Sequence, residues 1–463
     1  MFHILKARVF IGALAAVLLS GCDDIHDTTL PNGLRVIVKE DHRSSVVASM
    51  VWYKVGSVDE PEGLTGISHV LEHMMFQGTQ RLQPNEFSRI IAENGGRENA
   101  FTTNDYTAYF QQLEKSRLPI AFELEADRMQ NLRLGEDQFR KEIQVVMEER
   151  RLRTDDQPES LVYEKFMNEA YKVHPYGHPV IGWMKDLEKL TVADVRNWYA
   201  RWYRPNNATV VVVGDVQPAE VMELAKKYFG PLPARPLQRT PIPAEPPQQQ
   251  ERRATVRVPA QVPFLLTGFH VPVLDPKTAK EPQESWEPYA LSVLVGVLDG
   301  GDSARFEREL VREQRVASRI GAEYDAVGRS PTMLIFSGSP MADKKVADLE
   351  RALRAQVERL KKEPVSPSEL ERVKAQVVAG EVYRRDSVFN QAMELGNYAM
   401  AGLDPNLLEE RAKRLSAVTP EQVMQVARKY LTPNNVTDVT LDPLPIANPK
   451  QAPAMGGGSS HVR

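Results

Sequence analysis

Apolar residues recur along this chain with two different periods, and the change of period separates strands from helices. Gly33 to Lys39 and Val46 to Val55 read as strands, and Val210 to Val213 is a continuous β-branched run closed by Gly214-Asp215, the pattern of a buried strand. Pro119 to Asn131 and Asp137 to Leu152 carry instead the spacing of long amphipathic helices. A shorter helix is expected from residue 67 to 76. Ile67, Val70, Leu71, Met74 and Met75 fill one side of it, His69, Glu72, His73 and Phe76 share the other, and Gly78 ends it. This mixture argues for an α+β fold in which helices pack on one face of a mixed or antiparallel sheet.

The same succession of elements recurs at an offset of 228 residues. Leu190-Thr191-Val192-Ala193-Asp194-Val195 precedes Arg204-Pro205-Asn206-Asn207-Ala208-Thr209, and Val418-Thr419-Pro420-Glu421-Gln422-Val423 precedes Thr432-Pro433-Asn434-Asn435-Val436-Thr437. Each reads as a capped helix, a Pro-Asn-Asn turn and a strand, so a duplicated domain is the economical explanation. Between the copies, residues 231–250 hold seven prolines and finish in Gln248-Gln249-Gln250, which predicts an extended, semi-stiff linker. The chain thus divides into residues 28–230, a linker at 231–250, and residues 251–445. A disordered tail is expected over 446–463, where Gly456-Gly457-Gly458-Ser459-Ser460 falls.

Composition narrows the classes of function. With 463 residues, 42% apolar and 26% charged, the chain can bury large cores, and a net charge of −4 provides no basic stripe for nucleic acid. The first 22 residues stand apart: Lys6 and Arg8, an apolar run from Val9 to Leu19, then Leu19-Ser20-Gly21-Cys22. They read as a secretory signal, too short to span a bilayer. The ending resembles a bacterial lipobox, which implies lipid on Cys22 and a protein tethered in the bacterial cell envelope facing the periplasm. Asp23 there resembles an inner-membrane retention signal. Cys22 is the only cysteine, so no internal disulfide can form.

The chemistry is concentrated at His69-Val70-Leu71-Glu72-His73. Two histidines four residues apart on a helix can hold one metal ion, and the carboxylate between them lies beside the water that it would deprotonate. That is the arrangement of a zinc peptidase. A solvated surface helix is the plain alternative, and the narrow polar face over a well-formed apolar one speaks against it. Catalytic zinc takes three protein ligands, and the third is sought in Lys141 to Arg150. Glu142 and Glu149 share a helix face there. Glu149 is the preferred ligand, with Glu142 behind it orienting a histidine, and Glu148 is the other candidate. His174 and His178 are also four apart, but Pro175 and Gly177 break the helix that a shared metal would need. Leu298 to Phe306 contains a glycine turn without the Gly-Lys-Ser/Thr ending of a phosphate loop.

At this point the sequence resembles the pitrilysin or insulinase-type zinc peptidases, which use an inverted H-x-x-E-H motif. The resemblance runs through His69 to Thr79, Glu149, Gly95-Gly96-Arg97-Glu98-Asn99-Ala100-Phe101-Thr102, His174-Pro175-Tyr176-Gly177 and Tyr203 to Asn207, and spans roughly residues 28 to 445. It implies a zinc endopeptidase or oligopeptidase with Glu72 as general base and Asn99 on the backbone of a peptide substrate. It also implies two homologous domains forming half of a clam-shell. The other half would come from a second copy or from a related, metal-free chain. One departure is plain: an arginine and tyrosine that family members place in the second half are Val311 and Ser318 here, leaving Arg312 to take part of that role, since Arg319, the other arginine, is too far out of register. The competing readings are a non-catalytic subunit of the same fold and a lipid-anchored protein that binds peptides without cleaving them.

Overall fold

Six short strands from the first half associate around the β-branched run. In this computed structural model, which describes residues 25–446 apart from the side chains of 381 and 382, they are β1 (Ile25–Thr29), β2 (Arg35–Glu40), β3 (Val46–Tyr53), β4 (Arg97–Thr102), β5 (Thr107–Glu114) and β6 (Ala208–Gly214). The sheet order is β1-β2-β6-β3-β5-β4, parallel only between β2 and β6. The second half supplies β7 (Arg252–Val256), β8 (Phe264–Val271), β9 (Ala317–Glu323), β10 (Thr332–Pro340) and β11 (Val436–Leu441), in the order β7-β11-β8-β10-β9. That order repeats β2-β6-β3-β5-β4 strand for strand, including the single parallel pair, β7 with β11.

Helices fill the gaps in the same rhythm. The first half has α1 (Ile67–Met74), α2 (Glu86–Glu93), α3 (Leu118–Asn131), α4 (Glu136–Arg150), α5 (Pro158–Ala170), α6 (Met184–Leu187), α7 (Val192–Trp202) and α8 (Pro218–Tyr228). The second has α9 (Trp286–Asp299), α10 (Val346–Lys362), α11 (Pro367–Arg385), α12 (Val388–Ala401), α13 (Leu407–Ser416) and α14 (Pro420–Tyr430). The repeated motif read from the sequence has a local cause. Thr191 and Thr419 cap α7 and α14, accepting from the N–H groups of Asp194 at 3.3 Å and Gln422 at 3.2 Å, while those side chains accept in return from the threonine N–H groups. Past each helix, Asn207 and Asn435 donate to the carbonyls of Trp202 and Tyr430, at 2.9 and 2.8 Å, and turn the chain into the next strand.

Each sheet carries its own helices on one face, as the pattern predicts. Val36, Val38, Val51, Val210 and Val212 pack beneath α1, α3, α4, α7 and α8, and Leu265, Phe269, Leu334 and Phe336 pack beneath α9, α10 and α14. The opposite faces are equally apolar, and a helix from the other half covers each. Ala392, Leu395 and Ala399 of α12 lie on Met50, Trp52, Phe110 and Val211, and Val162, Phe166 and Ala170 of α5 lie on Phe264, Leu266 and Val439. Both contacts require a glycine. A Cβ at Gly396 would stand 2.0 Å from the Trp52 ring, and one at Gly268 would stand 2.4 Å from the Phe166 ring. Burial on both faces is the reason that Val210 to Val213 reads as a continuous apolar run.

The halves are also joined by charge: the Arg329 guanidinium grips Asp59 through two hydrogen bonds of 2.7 and 2.9 Å, and its N–H donates to Asp105. The proline-rich segment forms no helix or strand from residue 233 to 249. Rather than a free spacer it is a strap. Its Arg235 and Pro236 carbonyls accept from Arg204, its Arg239 donates to the Lys54 carbonyl, and its Glu245 accepts the N–H groups of Lys172, Val173 and His174. Residues 1–24, with Cys22 and Asp23, and the tail beyond Ile446 lie outside the described residues; Ile446 itself lines the central cavity. Among the described residues no helix is long and apolar enough to cross a membrane.

Candidate metal centre

The metal-binding face is built on α1. Glu60 holds the start of that helix, accepting the N–H groups of Gly66 at 2.7 Å and Ser68 at 2.8 Å, and burial pushes this carboxyl up to about 7. Ile67, Val70, Leu71 and Met74 are fully buried against the sheet, which turns His69, Glu72 and His73 toward α4 and the cavity. From α4 comes Glu149. Its Oε2 lies 3.3 Å from His73 Nε2 and 3.9 Å from His69 Nε2, and one donor atom from each of the three residues falls within 4.8 Å of the others. Glu142, one face-repeat earlier on α4, sits 3.3 Å from His73 Nδ1 and accepts from Gln77 at 2.9 Å. Glu148 points outward to Arg151.

This donor set fits zinc. Tetrahedral zinc with bonds of about 2.1 Å separates its ligand atoms by about 3.4 Å, close to the spacings found. Glu149 Oε2 is buried and accepts no hydrogen bond, so the atom best placed to ligate is otherwise unsatisfied. Burial opposes charge on Glu149, but the two histidines and Arg153 outweigh it and bring the carboxyl down to about 2. For His73 burial is likewise outweighed, by Glu142 and Glu149, which raise it to about 9.

Glu72 is buried beside this group, and burial pushes it up to about 7, although the Thr102 hydroxyl, donating at 2.5 Å, favours its charged form. Thr102 lies on β4, in the segment that carries the resemblance, but its role toward Glu72 is not legible in the sequence, because only the fold brings that strand to α1. Arg153 follows Glu149 by four residues, the spacing of neighbours on one helix face, and that spacing was a signal in the sequence for it. Its guanidinium pairs with Glu149 Oε1 and leaves Oε2 to the histidines, at the point where Arg151–Asp155 continue α4 as a wider π-helical turn.

The site opens on a cavity of about 1550 Å³ between the two halves. That exceeds a small-molecule pocket and suits an extended chain. Asn99 lines it, with its Nδ2 buried and unpaired. Arg312 does not reach it. The segment Phe306–Glu313 is wound with π-helical spacing, which pairs Arg312 with Glu307 at 2.9 Å on the exposed surface, whereas Arg319 of β9 lines the cavity and pairs with Glu159. Val311 packs against the second core, and the Ser318 hydroxyl donates to the Ser339 carbonyl. His174 is buried, accepts from the Tyr176 N–H, and is lowered to about 4 by burial, which suits a structural neutral ring. The other clustered carboxylates among the described residues, Glu251, Glu350 and Asp438, are threaded by Arg253 and Arg354.

Comparison with known proteins agrees with this arrangement. Residues 35–183 match the family described as insulinase (peptidase family M16), and residues 189–377 match the peptidase M16 inactive domain. The zinc protease PqqE of Helicobacter pylori is 34% identical over 420 residues, 90% of this chain and 92% of that protein. The crystal structure of a protease from Helicobacter pylori superposes with a TM-score of 0.84 at 32% identity, covering 91% of this chain and 100% of that one. The periplasmic protease PqqL from Escherichia coli shares the fold at 19% identity and a TM-score of 0.75, over 90% of this chain but 47% of that one.

Proposed function

The chain belongs to the insulinase family of peptidases, M16, and from that premise we propose that it is a zinc-dependent endopeptidase or oligopeptidase acting on short or unfolded polypeptides. The observation that supports this most is the convergence of His69, His73 and Glu149 with the buried carboxyl of Glu72 on one wall of the cavity. Zinc held by those three residues would supply a water activated near neutral pH and a Lewis acid for the scissile carbonyl. Glu72, beside those ligands on the cavity wall, takes the proton from the attacking water and returns it to the leaving amine. Thr102 holds Glu72 in orientation, and Arg153 and Glu142 fix Glu149 and His73. Asn99, on the open edge of β4, receives the substrate backbone as an added strand.

The chain spans about half of PqqL, which supports a complete chamber made with a second copy or a related chain. The lipobox-like end of the leader supports a tether at Cys22 on the periplasmic side of the envelope. The test is cleavage of a quenched-peptide library by the zinc-loaded protein and by Glu72→Gln, with zinc measured on both. Activity lost in the variant at equal zinc is the expected result. Equal activity in the two proteins would refute the role of Glu72, and inactivity of the wild type at full zinc, alone and mixed with candidate partners, would refute the hydrolytic reading.

A further inference from the structure

One wall of the cavity carries a charge that the hydrolytic machinery does not use. Glu98 lies on β4, where side chains alternate, so Glu98, Ala100 and Thr102 point to the same face. Thr102 touches Glu72, which places Glu98 about 13 Å along the strand from the base. No ion pair reaches Glu98 among the described residues, and its Oε2 is a buried oxygen without a hydrogen-bond donor.

The nearest cation, Arg128, is turned to another carboxylate, although its Nη1 has no hydrogen-bond partner. It is fully buried, chelated by Glu125 through two nitrogens, and stacked 4.2 Å from the Phe87 ring centre and 4.3 Å from that of Tyr109. Glu98, Glu125 and Arg128 together leave one net negative charge at this end of the cavity. Phe76, Ser88 and Gln77 complete the wall around it. The Ser88 hydroxyl donates to this carboxylate, which has no ion pair, and an aromatic ring beside it suits a side chain with an apolar stem and a cationic end.

We infer that Glu98 is a specificity-determining residue that selects a lysine or arginine of the substrate. The reading rests on the proposed peptidase function. A peptide strand added to the edge of β4 places one of its residues opposite Glu98, on the same face, at cross-strand pairing distance. The selected residue therefore lies about four positions from the one opposite Thr102. Burial raises the Glu98 carboxyl, and a cationic side chain would relieve that cost.

The experiment uses fluorogenic peptides in which one lysine, or glutamine at the same place, is moved position by position along an otherwise neutral sequence. For the zinc-loaded wild type the expected lysine-to-glutamine ratio of kcat/KM is about ten at one position and near one elsewhere. Glu98→Gln should bring that ratio to about one, and Glu98→Lys should move the preference to a glutamate peptide. A ratio that survives Glu98→Gln, or the absence of any preferred position, overturns the inference. If no peptide is cleaved, the hydrolytic reading fails instead, and fluorescence anisotropy of the same labelled peptides decides the role of Glu98. Lysine-peptide binding weakened about tenfold in Glu98→Gln upholds it, and equal binding overturns it.

Discussion

Helix α1 of the first half and α9 of the second occupy corresponding places, each packed against the second helix after the next two strands, α4 or α11. Aligned through Leu71 with Leu294 and Gly78 with Gly301, the two glycines having φ of 92° and 86°, His69, Glu72 and His73 fall on Ser292, Val295 and Gly296. The Ser292 hydroxyl turns back to the Pro288 carbonyl. Gly296 admits Val373 of α11 so closely that a Cβ there would stand 2.8 Å from Val373 Cγ1. Nearby, buried Arg305 is paired through two nitrogens with Glu369 of α11. The same pair of helices thus closes by apolar contact in one half, beside the Arg305–Glu369 ion pair, and around a group of ligands in the other. The fold has no need of the ligands, so the first half keeps them for chemistry.

The comparison breaks most sharply at the base. Glu72→Gln should lower kcat by about 10²- to 10⁴-fold at unchanged zinc content, whereas Ser292→Ala, at the place that matches His69, should leave turnover and zinc as they are. An effect of Ser292→Ala on zinc binding would end the contrast. The crossed helices come next. Phe166→Ala should cost about 3–5 kcal/mol and Gly396→Ala, by overpacking Trp52, about 1–3 kcal/mol. Denaturant unfolding should show one transition in each variant; two separated transitions would mean that the halves stand alone.

Arg153 sharpens the picture of the ligand group itself. Arg153→Met should weaken zinc about 10- to 100-fold in a chelator competition, and Arg153→Lys should recover part of the loss. Unchanged affinity would leave the arginine without a role toward Glu149. The smallest effect belongs to the second half. Arg305 holds the Glu369 carboxyl down at about 2, below its unfolded value near 4.5. The folded pKa is the lower one, so the stabilisation is complete above about pH 4.5 and is lost as the pH falls toward 2. Glu369→Gln should flatten the stability profile of the wild type in that window, read as unfolding midpoint against pH.

The histidines were legible because a helix writes its faces into sequence spacing, and Glu149 was favoured over Glu148 on the same ground. Thr102 was not, since it acts through a contact that only the folded sheet creates, and Glu60 was not, since its loop has to fold back onto the start of α1. Arg153 and Arg312 differ in this respect. Arg153 stands four residues after Glu149, an ordinary helical neighbour that the sequence already carried, whereas Arg312 lies in a π-helical turn where ordinary helical angles misplace side chains, and stays away from the cavity. The duplication was visible in Thr191 and Thr419 with their Pro-Asn-Asn turns, because capping and turn chemistry depend on a few adjacent residues. The exchange of α5 and α12 was hidden, for an apolar helix face does not say which sheet it will cover.

That exchange bears on how such a chain could have arisen. A single unit of this kind, folded alone, would leave one whole sheet face wet. Two identical units could cover each other only by trading a helix, as domain-swapped dimers do. The present chain has the form of that dimer made permanent, with the proline-rich strap as the splice. Once both copies were held in one polypeptide, either could lose its metal without the other losing its shelter.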